Sequence, residues 1–317
     1  MKVRTRWALS LAVLLATTSA IAQGGQPGSG LNAVPIWNGR IPNALPLAGP
    51  EKVTKKTESL VAGKPWTAIT NVSRPTITVY PPRSTNSGAA VLVFPGGGYK
   101  VLAIDLEGTE ICNWLTSKGI TAVLVKYRVP TPKVGRYGES VQALQDAQRA
   151  LSLVRSRASD LHIDPHKIGV IGFSAGGHLA AALSTRYNQR SYSSQDAVDK
   201  ISCRPDFAIA LYPGHLSSWY PDSPKTQANA VDLTLNPKIR VTKRTPPTFL
   251  VQAENDPVDD VRNSLSYFLA LKNAKVPVEL HVYAEGGHAY GLRPTSKPIT
   301  QWPSLAEKWL RTIRMIP

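Results

Sequence analysis

Cysteine and methionine occur only twice each in 317 residues, and phenylalanine five times. Two cysteines, Cys112 and Cys203, make neither a disulfide framework nor a metal-binding pattern. Their spacing leaves them either paired or as buried thiols. Acidic residues are sparse, 21 against 37 lysines and arginines, giving a net charge of +16. Beyond the N-terminus no apolar run reaches the roughly 20 residues that a spanning helix needs, which excludes an integral membrane protein. No cluster has zinc or calcium spacing, so no metal is expected. No internal repeat is present. Glycine (23) and proline (26) are scattered, which excludes collagen-like and low-complexity chains. With 42% hydrophobic and 18% charged residues, the chain is too apolar for disorder and long enough for one large α/β core.

The N-terminus has the marks of a signal peptide. Lys2, Arg4 and Arg6 precede an apolar stretch over 7–16, and Ala20-Ile21-Ala22 has the small-x-small form of a cleavage site. Residues 1–22 are therefore expected to direct export, to the periplasm or outside the cell, with no stable membrane insertion. Their removal takes away three positive charges and no acid, so the charge falls from +16 to +13. That balance favours polyanions. For an exported protein, acidic polysaccharide is the expected counterpart and nucleic acid is not.

Residues 23–65 read as an extended N-terminal arm, and 66–317 as one catalytic domain. Within it the expected strands are 66–72, 76–80, 89–94, 121–127, 168–173, 207–212, 248–253 and 278–283. The expected helices are 106–117, 139–158, 175–185, 261–273 and 305–315. This alternation predicts a mostly parallel sheet with helices on both faces, and a site beyond the carboxyl ends of the strands. Residues 214–246 are polar and dotted with proline, and read as a small inserted cap.

The motifs follow strands, as that fold requires. Gly172-Phe173-Ser174-Ala175-Gly176 leaves a buried strand and opens a helix, the context of a G-x-S-x-G nucleophile elbow. An acyl-transfer intermediate carries an oxyanion and needs fixed N–H donors. Ala175, just after the nucleophile, and the run Pro95-Gly96-Gly97-Gly98-Tyr99, through Gly97 and Gly98, are the expected sources. A phosphate-binding role for this run is disfavoured, because no Gly-Lys-Ser/Thr follows it. Serine needs a base, and His288, in Gly286-Gly287-His288-Ala289-Tyr290-Gly291 after the last strand, is the expected one. His178, one turn into the helix after Ser174, reads as a packing residue. The base needs an orienting carboxylate. Asp256 in Glu254-Asn255-Asp256-Pro257-Val258-Asp259 gives the chain order Ser, Asp, His, with Glu254 and Asp259 as alternatives. Tyr99, His215, Trp219 and Tyr220 are candidate substrate contacts.

These stretches resemble an α/β-hydrolase. VLVFPGGGY, KIGVIGFSAGGHLAA, RPDFAIALYPG, TPPTFLVQAENDPV and ELHVYAEGGHAYGL occur in order between residues 89 and 292. They are similar to the exported acetyl-esterase and acetylxylan-esterase-like branch, some members of which carry a xylanase label. The resemblance implies a Ser174–Asp256–His288 triad, oxyanion donors at Gly97, Gly98 and Ala175, and no cofactor. It implies a short acyl ester, on plant-wall carbohydrate or a small alcohol, as substrate. Pro95 departs from the pattern of the lipase-like relatives, which have histidine there. Alternatives are a feruloyl esterase, a prolyl-oligopeptidase-type (S9) peptidase, and a non-enzymatic binder of acidic glycans.

Overall fold

The computed structural model describes residues 31–46, 49–130, 140–218 and 232–317. The signal segment, Trp219 and Tyr220 lie outside the described residues.

Eleven strands can be traced among the described residues: β1 Ala33–Pro35, β2 Lys52–Val61, β3 Lys64–Thr70, β4 Thr76–Tyr80, β5 Ala90–Phe94, β6 Leu102–Ala103, β7 Thr121–Lys126, β8 Ile168–Phe173, β9 Ala208–Leu211, β10 Thr248–Ala253 and β11 Val278–Tyr283. Five α-helices accompany them: α1 Glu110–Ser117, α2 Val141–Ser156, α3 Ala175–Arg186, α4 Arg262–Asn273 and α5 Trp302–Thr312. Eight strands form one sheet in the order β1-β4-β7-β5-β8-β9-β10-β11. The β1–β4 and β4–β7 pairs are antiparallel, and every pair from β7 to β11 is parallel. β5, β8, β9 and β10 are buried at every position. Burial on both sides of a pleat requires cover on both faces, and a continuous apolar strand is the sequence form of that requirement.

The register places the functional loops. Phe94 at the end of β5 pairs with Gly172 near the end of β8, and Phe173 pairs with Leu211 at the end of β9. Ala253 at the end of β10 pairs with Tyr283 at the end of β11. The turns after β5, β8, β10 and β11 therefore open on one edge of the sheet.

The expected arm differs from the observed chain. Ala33–Pro35 adds an edge strand to the main sheet, and Lys52–Val61 forms a hairpin with β3, completed by β6 into a three-stranded sheet. β2 is largely exposed and rich in lysine and threonine, so it carries no apolar alternation to read. The expected helix over 106–117 starts instead as a π-turn, Asp105–Thr109, before α1. Both cysteines are buried and unpaired. Among the described residues no helix is long and apolar enough to cross a membrane.

Candidate active site

The turn between β8 and α3 is tight. Ser174 has φ 51° and ψ −119°, a left-handed backbone that costs a non-glycine residue free energy. Close packing holds it there. A Cβ on Gly172 would lie 2.0 Å from the Gly176 carbonyl oxygen, and one on Gly176 would lie 2.0 Å from that of Phe94. Glycine at both positions lets strand and helix close to this distance, and the serine is pushed out at the apex.

The Ser174 hydroxyl meets His288 Nε2 at 3.0 Å, and His288 Nδ1 meets Asp256 Oδ2 at 2.7 Å. Asp256 has no side-chain exposure. Its Oδ1 accepts the backbone N–H groups of Val258 (2.8 Å) and Asp259 (3.0 Å), and its Oδ2 also accepts Gln252 Nε2 at 3.0 Å. The loops carrying Asp256 and His288 are tied together by Asn255, whose Oδ1 accepts the N–H groups of Gly286 and Gly287, each at 3.0 Å. Burial acts to lower the His288 pKa. The hydrogen bond and charge of Asp256, with the charges of Asp259 and Glu107, outweigh burial and hold it above the usual histidine value.

The alternative carboxylate, Asp259, occupies a separate place. Its Oδ2 lies 3.3 Å from Ser174 Oγ and 3.8 Å from His288 Nε2, on the far side of the imidazole from Asp256. Burial first, and then the charge of Asp256, push its pKa up to about 6.

The glycine run is braced from below. Gly96 donates its N–H to Glu107 Oε2 at 2.7 Å. The Tyr127 hydroxyl donates to the carbonyl of Pro95. Glu107 Oε1 accepts the Tyr212 hydroxyl at 2.8 Å, and that hydroxyl accepts the N–H of Gly291 at 3.2 Å. One buried carboxylate thus connects the glycine run with the loop carrying His288. Burial raises its pKa. The N–H groups of Gly97, Gly98 and Ala175 donate to no acceptor among the described residues. All three residues line the same cavity as Ser174.

That cavity measures about 840 Å³. Ser174, Asp256 and His288 line it, together with Asp259 and Glu107. One wall is the tip of the β2–β3 hairpin: Ser59, Leu60, Val61 and Trp66. Trp66 is fixed by a hydrogen bond from Nε1 to Ser59 Oγ at 3.2 Å. Leu60 and Val258 stand exposed at the rim. Sequence reasoning missed this wall, together with Glu107 and Tyr212. Glu107 stands between other polar residues, Asp105, Thr109 and Glu110, so nothing in the sequence singled it out.

The four candidate substrate contacts separate. His215, with φ 55°, lines the cavity. Tyr99 does not: it is buried, and its hydroxyl meets Nδ1 of the buried His178 at 2.7 Å. Burial, with the charges of His215 and Arg186, lowers the His178 pKa to about 3, so that ring is neutral. Tyr99 and His178 therefore support the glycine run from within, and Tyr99 is corrected from contact to support. Trp219 and Tyr220 fall outside the described residues. Within the expected insertion of 214–246, the N–H of Ser218 donates to the Thr234 carbonyl at 2.8 Å. Asn263 Oδ1 accepts the N–H groups of Leu216 (2.8 Å) and Ser217 (3.0 Å).

The chain matches known proteins on the same core. Residues 77–212 match the BD-FAE family. An acetylxylan esterase of Xylanibacter ruminicola is 30% identical over 249 residues, covering 72% of this chain and 46% of that protein. Endo-1,4-beta-xylanase B of Butyrivibrio fibrisolvens is 33% identical over 211 residues, covering 62% of this chain and 32% of that protein. The chain thus spans half or less of the length of these two relatives. The crystal structure of an acetyl ester-xyloside bifunctional hydrolase from Caldicellulosiruptor lactoaceticus is similar nearly end to end. It has 32% identity and a TM-score of 0.69, covering 90% of this chain and 97% of that one. With that coverage, and the sheet and elbow described above, the chain belongs to the α/β-hydrolase serine esterases, in their acetylxylan esterase-like branch.

Proposed function

We propose that this protein is a serine carboxylesterase that removes short acyl groups, chiefly acetyl, from plant cell-wall polysaccharide such as xylan. The observation that carries the reading is the continuous line from Asp256 through His288 to Ser174, with steps of 2.7 and 3.0 Å, at the floor of an 840 Å³ cavity. The relatives support the substrate class: one is an acetylxylan esterase and another an acetyl ester-xyloside hydrolase. Cleavage after residue 22 and export would bring the enzyme to that substrate. The basic balance of the chain supports approach to acidic polysaccharide, with Lys52, Lys55 and Lys64 exposed on the hairpin that walls the cavity.

The mechanism follows from the positions. His288 accepts the Ser174 proton as Oγ attacks the ester carbonyl carbon. The oxyanion is received by the N–H groups of Gly97, Gly98 and Ala175, each such donor being worth about 3 kcal/mol in the transition state. The protonated His288 returns the proton to the departing alcohol. Water, deprotonated by the same ring, then releases the acid and restores Ser174. Asp256 holds the tautomer with Nε2 unprotonated, and steadies the imidazolium as it forms. Glu107 and Tyr127 fix the glycine run, so the donors need no rearrangement during the reaction.

Product analysis on acetylated glucuronoxylan and on feruloylated arabinoxylan tests the reading, with Ser174→Ala as control. Acetate released by the wild type alone is the expected result. Ferulate without acetate would move the enzyme to the hydroxycinnamoyl esters. Neither product would set the polysaccharide reading aside.

A further inference from the structure

We propose that Asp259 determines specificity by accepting a hydrogen bond from a hydroxyl vicinal to the scissile ester on the leaving alcohol, so that the enzyme selects monoacylated diols. The inference rests on the esterase reading and names the kind of alcohol the site takes.

The argument begins with where a leaving alcohol must sit. Its oxygen receives a proton from His288 Nε2, so the alcohol occupies the space beside Nε2 and Ser174 Oγ. A carboxylate oxygen 3.3 Å from Oγ and 3.8 Å from Nε2 borders that space. On a sugar ring the neighbouring hydroxyl lies about one hydrogen-bond length from the ester oxygen, and so comes within reach of Asp259.

Asp259 also lacks a donor when catalysis needs one. Among the described residues its one side-chain hydrogen bond comes from the Ser174 hydroxyl. In the reactive arrangement that proton points to His288, and Asp259 Oδ2 is left as a mostly buried acceptor without a partner. An unpaired buried acceptor is costly, and a substrate hydroxyl removes the cost. A leaving group without that hydroxyl does not.

The protein holds Asp259 in this place. Its N–H donates to Asp256 Oδ1 at 3.0 Å, and its carbonyl accepts Gln252 Nε2 at 2.8 Å. Its side chain lies against Gly214, where a Cβ would come within 2.4 Å of Oδ1. With a pKa of about 6, the group is an ionised acceptor at neutral pH. No part of the proton relay requires it, since Asp256 already orients the imidazole.

Two acetates that differ in one group test the assignment: 2-hydroxyethyl acetate, with a vicinal hydroxyl, and 2-methoxyethyl acetate, without one. The wild type is expected to favour the first in kcat/KM by about 10-fold or more, the range for a hydrogen bond to a charged group. Asp259→Ala should bring the ratio to about one, and Asp259→Asn should lower it, because the amide oxygen accepts without charge. Gly214→Ala, which displaces the carboxylate, should lower it too. Each ratio is taken within one variant, so the folded fraction cancels. A wild-type ratio near one, or a ratio kept in Asp259→Ala, overturns the assignment while the esterase reading stands. No hydrolysis of either ester by the wild type overturns both.

Discussion

The carboxylate of Glu107 and the backbone N–H of Gly96 meet at 2.7 Å beneath the glycine run. This contact turns one N–H of the run inward, while those of Gly97 and Gly98 remain at the cavity. A Cβ on Gly96 would sit 2.6 Å from the same carboxylate oxygen, so the two residues fit only with glycine above. Through Tyr212, Glu107 also reaches Gly291 behind His288.

Glu107→Ala removes both contacts and frees the run to shift. A displacement of about 1 Å at such a site costs on the order of 10²-fold. The loss is expected in kcat on an aryl acetate with KM little changed, because the donors act on the transition state. Glu107→Gln retains an oxygen for Gly96 and should recover most of the rate. If the glutamine variant is as impaired as the alanine one, the carboxylate acts through its charge and not through the position it imposes.

The free-enzyme pH profile follows from the sign of the His288 shift. His288 works as a base only when unprotonated, and its pKa lies above the ordinary 6.5. Inactivation by a fluorophosphonate, and kcat/KM, should therefore rise with pH along a limb centred above 6.5. Asp256→Asn removes the strongest of the groups that raise this pKa. The limb should move to lower pH while kcat drops by about 10⁴-fold. Asp259→Asn removes a weaker contribution, and should move the limb in the same direction by less. A limb unmoved in both variants would mean that neither carboxylate sets the base.

Removal of the Ser174 hydroxyl, the proposed nucleophile, separates chemistry from binding. Ser174→Ala should lower kcat by about 10⁶-fold and abolish fluorophosphonate labelling. The alanine inherits the same φ of 51°, so the melting curve should stay close to that of the wild type. Labelling that persists in this variant would place the reactive serine elsewhere.

The core was legible because it is buried on both faces. β5, β8 and β9 carry unbroken runs of apolar residues and glycine, and the order of Ser174, Asp256 and His288 after β8, β10 and β11 follows from the same alternation. Side-chain direction was not legible. Tyr99 follows the glycine run in sequence, yet points inward to His178. The roles of Asp256 and Asp259 depend on which nitrogen of one ring each faces, and sequence spacing carries no such information. β2 was unreadable for a different reason. An exposed strand of lysine, threonine and glutamate gains its order from backbone pairing with β3, which leaves no hydrophobic period.

The missed hairpin yields the last prediction. Trp66 lines the cavity from β3, and its indole N–H is engaged with Ser59, so the ring is held without side-chain ordering at the moment of binding. A fixed aromatic wall beside an ester site suits the apolar face of a pyranose ring. Trp66→Ala should raise KM on acetylated xylan by about 10-fold, the scale of one aromatic contact with the area it buries. The kcat should change little, because Trp66 takes no part in the proton transfers proposed for Ser174 and His288. On a small aryl acetate, which does not extend to the hairpin, both constants should stay near those of the wild type. An equal loss on both substrates would mean that Trp66 supports the fold of the cavity wall, and that the polysaccharide is held elsewhere.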